Sequence, residues 1–154
     1  MLLMFDIEFF IIEQHIKGRD SSLLQGLGPG AALTVVEVGR FSAEDGRRGL
    51  TRLLAAGEGP TAVVGAGAVL CLGILEEAGS RGRQVPGDLA VVGYGDAEVA
   101  RFAAPALTMV GFPERAAGVQ AAEMLAGLLA GRRVRPRRRR LAAELRVRRS
   151  CGCG

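Results

Sequence analysis

The chain of 154 residues has the length of one ordinary domain, enough to bury a core without disulfides or a structural metal. Hydrophobic residues at 49% and charged residues at 23% exclude a disordered chain, and a single histidine, His15, weighs against Cys–His nucleophiles and His-containing metal sites. The net charge of +4 is uneven: residues 132–149 hold ten Arg against one acid, Glu144, giving +9 there and −5 over residues 1–131.

The opening MLLMFDIEFFII is apolar, but Asp6 and Glu8 interrupt it and no basic residue precedes it. It therefore reads as a buried strand of a cytoplasmic protein and not as a signal or a membrane span. Its β-rich composition makes it a candidate first strand for the sheet that follows. From residue 33 onward strand and helix signals alternate. LTVVEV at 33–38 is a short β-branched run, and Ser42, with a carboxylate three residues on, predicts a capped helix with Gly46, Leu50, Leu53 and Leu54 on one face.

Pro60 closes that unit, and residues 61–64 predict a strand apolar enough to be covered on both faces. A helix over about 66–78 is apolar almost all round until Glu76 and Glu77, hence deeply buried, with Gly79 as its expected end. Cys71 inside it reads as a small core residue. The turn VPGD at 85–88 leads into a strand at 89–94, and Pro105 precedes another at 107–111. Residues 114–129 form a strongly patterned helix ended at Gly131, and residues 141–147 alternate as an edge strand does. RRVRPRRRR at 132–140 has two readings, a set of phosphate contacts for nucleic acid or a solvated loop feeding the last strand; Pro136 and the lack of interleaved aromatics favour the loop. Cys151 and Cys153 fall in a short terminal tail, 151–154, expected to be flexible.

The fold class that follows is α/β, a parallel sheet flanked by helices and joined by right-handed crossovers. Ligands of such sheets bind at the carboxyl ends of the strands, here near Phe41, residues 65–68 and residues 95–98. Gly65 and Gly67 in TAVVGAGAVLCLG supply two glycines of a dinucleotide fingerprint. The third place is Leu70, and the next strand ends in Tyr94-Gly95-Asp96, about ten residues past the usual spacing of ~20. A dinucleotide-binding oxidoreductase is therefore the weaker reading.

FSAEDGRRGLTRLL, then PTAVVGAGAVLCLGILEEAGSRGRQVPGDLAVVGYGDAEVARFAAPALTMV, then AAGVQAAEMLAGLLAG and ELRVRRS, resembles in order and spacing the effector-binding region of the lactose-repressor (LacI/GalR) family of transcriptional regulators. The resemblance covers about residues 33–150, and GYGD after GILEEAGSRG is similar to the branch that includes gluconate-type repressors. It implies one lobe of a type I periplasmic-binding-protein-like fold, with an effector cleft shared with a second lobe and a helix-turn-helix that reads DNA. In this light residues 1–32 are an atypical N-terminal segment, a replacement first strand and helix, and the helix at 114–129 belongs to the other lobe. Its apolar face would need covering by residues 1–25, a partner or a second copy.

By the same resemblance Phe41 stands where an aromatic meets the effector, and Arg19 corresponds to an effector-binding arginine. Gly67-Ala68 replaces an Asn-Asp pair, and Gly95 replaces an acid that grips sugar hydroxyls. Asp96 is a further hydroxyl ligand or, more simply, the cap of the turn at 97–100. The function implied is sensing of a sugar or sugar acid by a non-enzymatic regulator, with no cofactor, no metal and no membrane. DNA would be reached only through a headpiece or partner, and a homodimer or a heterodimer with a related regulator is expected. The further alternative is a nonfunctional product of a truncated gene.

Overall fold

The computed structural model describes residues 9–13, 33–55, 59–136 and 138–153, with backbone alone for 9–13. In chain order the elements are β1 (Phe9–Glu13), β2 (Leu33–Glu37), α1 (Ala43–Leu54), β3 (Ala62–Gly65), α2 (Ala68–Ser80), β4 (Ala90–Tyr94), α3 (Val99–Phe102), β5 (Thr108–Gly111), α4 (Glu114–Leu129) and β6 (Glu144–Arg146). They build one sheet in the order β2-β1-β3-β4-β5-β6. The first five strands are parallel. β6 runs antiparallel to β5, with Val110 opposite Leu145, so the sheet expected to be parallel is mixed at its last edge. That edge strand is also shorter than the alternating pattern predicts, because residues 141–143 stay outside the ladder.

β1 sits in the interior of the sheet, with Ile11 paired to Val35 of β2 on one side and to Val64 of β3 on the other. The helix expected within residues 1–32 lies outside the described residues. Ser42 caps α1 as its sequence predicts, its hydroxyl accepting from the Asp45 amide at 3.1 Å. α2 runs one residue past the glycine expected to end it. The left-handed position is Gly82 (φ +70), whose amide donates to the Gly79 carbonyl at 3.0 Å, so Gly79 stays helical.

The core is made by Leu50 and Leu53 of α1, Leu70, Cys71 and Ile74 of α2, Val63 and Val91 of the sheet, and Leu89, Leu107 and Met109, all at most 1% exposed. Truncating any of these leucines to Ala removes about 2–5 kcal/mol. α1 and α2 cross with backbone touching backbone: a Cβ on Gly46 would collide with the Leu70 carbonyl, and one on Gly73 with the Ala43 carbonyl. The far end of this crossing is tied by Glu77, whose carboxylate accepts from the Thr51 hydroxyl at 2.7 Å and from Arg81 Nε at 2.6 Å. Those two bonds, helped by the charges of Arg81 and Arg47, hold the Glu77 carboxyl below its usual range despite burial.

α4 behaves differently. Its bounds match the sequence pattern, but Gly127 is its one buried residue, and Val119, Leu125, Leu128 and Leu129 all lie exposed. Among the described residues no helix is long and apolar enough to cross a membrane.

Candidate functional site

In a parallel sheet ordered 2-1-3-4-5 the connections reverse direction between β1 and β3, and the crevice for a ligand opens at their carboxyl ends. On the β3 side the chain leaves Gly65 through Ala66 and enters α2 at Gly67, the N-cap, which has no side chain to cover the first-turn amides. Phe41 reaches this point from the neighbouring unit. The Ser42 cap fixes the start of α1, and Phe41, immediately before it, lays its ring beside Gly67: a Cβ there would stand 3.1 Å from Phe41 Cδ1. The ring remains 53% exposed. The structure thus brings Phe41 and Gly67 together.

Gly95 lies just past the end of the next strand, β4, at the matching height. Gly65 pairs with Gly93, so Gly67 and Gly95 each follow that pair by two residues. Gly95 takes φ +78, a conformation that strains other residues, and nothing stands within 4 Å of where its Cβ would be. Beside it Tyr94 stacks on Phe112, ring centroids 5.4 Å apart at 22°. The sequence reading missed this pair. Its signal was an aromatic at or just past the end of each of two adjacent strands.

Asp96 does not cap the turn at 97–100. α3 starts after Glu98 without any side-chain cap, and the Asp96 side chain turns instead toward β6 and the residues after it. Arg146 Nη1 donates to Oδ2 at 2.6 Å, Arg148 Nη2 donates to the same oxygen at 2.9 Å, and Arg148 Nη1 lies 2.7 Å from Oδ1. The bond from Arg148, then that from Arg146, outweighs the cost of burial and brings the Asp96 carboxyl down to about 2. The local capping logic fails because the partners lie 50 and 52 residues away in sequence. Arg19, the remaining expected site residue, lies outside the described residues.

Packing accounts for the two glycines of the dinucleotide reading. Gly65 belongs to β3, where a Cβ would stand 2.5 Å from Cys71 Sγ, and the same sulfur lies 2.8 Å from where a Cβ of Gly93 would be. Gly67 has extended backbone (φ −169) that any residue adopts, and Leu70 is fully buried. Burial pushes the Cys71 thiol up to about 12, as its reading as an inert core residue requires. Among the described residues no group of three or more His, Cys, Asp or Glu is placed to hold a metal.

The carboxyl edge is an open ledge, exposed rings beside uncapped backbone, of the kind that stacks on a small ligand and hydrogen-bonds its rim. A cavity of about 450 Å³ lies elsewhere, between α4 and the arginine loop.

Residues 22–151 match the family described as the periplasmic binding protein-like domain. The chain belongs to this family. Within it, this chain is similar to the effector-binding region of LacI/GalR-type regulators. It is 34% identical over 116 residues to the HTH-type transcriptional repressor PurR of Escherichia fergusonii, an alignment covering 75% of this chain and 34% of the repressor. Among solved structures, a LacI family transcriptional regulator from Mycobacterium smegmatis is 29% identical with a TM-score of 0.76, covering 93% of this chain and 56% of that one. The transcriptional regulator CelR, in complex with cellobiose, is 28% identical with a TM-score of 0.77, covering 93% of this chain and 46% of CelR. The chain spans about a third of the length of the curated relatives it matches.

Proposed function

We infer that the chain is the ligand-sensing lobe of a transcriptional regulator, and that its effector is a small polyhydroxy compound, a sugar or sugar acid, bound at the ledge of Phe41, Gly67 and Gly95. The observation that carries this is the exposed Phe41 ring set against Gly67 at the reversal point of the sheet. In this reading Asp96, whose carboxylate is already engaged by Arg146 and Arg148, supports the ledge from beneath. The cellobiose held by CelR supports the ligand class. DNA is read by a headpiece or a partner, and the lobe pairs with a copy of itself or a related regulator in the cytoplasm.

Thermal unfolding in the presence of sugars, sugar acids, purines and nicotinamide cofactors tests the effector class. A ligand at 100 times its dissociation constant adds about 2.7 kcal/mol. The expected outcome is a rise with a sugar or sugar acid that Phe41→Ala abolishes. A rise with a nicotinamide cofactor alone, or a melt that nothing moves, overturns the reading. Pairing is tested separately by a gel shift, in which mixing the chain with a full-length relative should change that relative's operator affinity.

A further inference from the structure

The arginine run at 132–140 plays no part in the ledge. It holds seven Arg and no acid. The structure shows its described residues, 132–136 and 138–140, folded back along α4. Gly131 (φ +70) reverses the chain, the Arg132 amide donates to the Gly127 carbonyl at 2.9 Å, and Val134 packs on Gly127. Further on, Arg139 Nη1 donates to the Gln120 side chain at 3.4 Å. The described part of the run therefore spans α4 from Gly127 to Gln120, about 10 Å at 1.5 Å per residue.

Within that span Arg132, Arg133, Arg135, Arg138 and Arg140 are exposed, and among the described residues no carboxylate pairs with any of them. Among the described residues Glu123 is the one acid lining the cavity of about 450 Å³ that Arg132, Arg133, Arg135 and Arg139 share with α4. Several exposed arginines outside the run do have partners, Arg47 and Arg48 meeting Glu44 and Arg81 meeting Glu77, while those without one, such as Arg101 and Arg115, stand singly and not in a cluster. Holding this many like charges together without counter-charge opposes folding unless an anion is supplied from outside.

We propose that the arginine run on α4 binds the phosphate backbone of duplex nucleic acid without regard to sequence. The charge spacing fits a duplex, which presents one phosphate charge per about 1.7 Å of axis and so about six over 10 Å. Single strands are gripped by aromatic side chains interleaved with the basic ones, and residues 113–154 contain no Phe, Tyr or Trp. With no aromatic for stacking and no Asn or Gln within the run to read adenine edges, the surface holds phosphates and leaves base reading to another element. It thus adds to the regulator a non-specific hold on DNA beyond any headpiece.

The test is fluorescence anisotropy of the full chain with a short labelled duplex of arbitrary sequence across a salt series. With about six phosphates neutralised, log K should fall against log salt with a slope of about −5, roughly a thousandfold between 50 and 200 mM. Arg138→Gln, Arg139→Gln and Arg140→Gln together should flatten that slope by about 2 to 3. Arg101→Gln, an exposed arginine of α3, should leave it unchanged. A thermal melt confirms that the variants fold. No binding at low salt, or a slope the triple variant does not alter, overturns the proposal. So does tighter binding to a single strand than to the duplex, or binding to phosphatidylserine vesicles in place of DNA.

Discussion

The Thr108 amide donates to the Ser150 hydroxyl at 2.8 Å, closing a contact between residues 42 apart in sequence. The ladder between β4 and β5 begins at Val92 and Thr108, and Ser150 completes it upstream: its amide carbonyl accepts from Val91 N at 2.7 Å and its hydroxyl donates to Val91 O. Ser150 is wholly buried. The segment after β6 is therefore stitched into the start of two central strands.

Ser150→Ala should accordingly destabilise the chain by about 1–3 kcal/mol, since a buried amide and a buried carbonyl each lose a partner. Urea unfolding measures it as a lower midpoint at unchanged slope. An effect within the error of the midpoint would show that the strands re-pair without the hydroxyl.

Asp96 makes stability depend on acid. Its folded carboxyl lies at about 2 against 3.8 for the free group, so the folded state favours the ionised form. The contribution is complete above the unfolded value, near pH 4 and higher, and is lost as pH falls toward 2. The displacement corresponds to about 2 kcal/mol at neutral pH. Wild-type stability should drop by about that amount between pH 5 and pH 2, and Asp96→Asn should flatten the drop while lowering stability at pH 7. Denaturant titrations at a series of pH values decide it; an Asp96→Asn curve parallel to wild type would place the acid sensitivity elsewhere, at Glu77 first, whose carboxyl is also held low.

Cys71 and Cys153 should separate in a labelling experiment. Cys71 is buried with its thiol pushed up to about 12, whereas Cys153 is exposed. Iodoacetamide at pH 8 should modify Cys153 in the native protein and reach Cys71 only after unfolding, as read by mass spectrometry of peptides. Rapid native labelling of Cys71 would mean that the α2–sheet contact over Gly65 and Gly93 opens locally.

The local signals in the sequence were mostly sound and the long-range ones were not present to be read. Ser42 announced its cap because the donor lies three residues away, and 114–129 announced a helix because its period is internal. The same period shows that α4 has an apolar face and says nothing of what lies on it, so its exposure emerges only from the fold. Likewise the place of residues 9–13 inside the sheet, between β2 and β3, depends on pairing across tens of residues. At the site, resemblance pointed to Phe41, Gly67 and Gly95 at one edge of the sheet. Asp96 was assigned a local cap because Arg146 and Arg148 are invisible to a local window, and the Tyr94–Phe112 stack was missed because its rings come from different strands.

Gly73 and Gly79 lie in the same helix, and replacing each with Ala should have opposite effects. In a solvated helix interior the change gains up to about 1 kcal/mol, from helix propensity and from the smaller entropy of the unfolded chain. Nothing stands within 4 Å of the Cβ that Gly79→Ala introduces, so that variant should gain stability, by less than the full amount because Gly79 is the second-last residue of α2. At Gly73 the new methyl meets the Ala43 carbonyl across the crossing of α1 and α2, and backbone on both sides has no rotamer by which to give way. Gly73→Ala should force the helices apart, with loss of contact among Leu50, Leu70 and Ile74, and cost at least 1–3 kcal/mol net of propensity. Paired urea melts of the two variants measure the difference. Equal shifts of one sign would show that propensity governs α2 and that its crossing with α1 is looser than the glycines require.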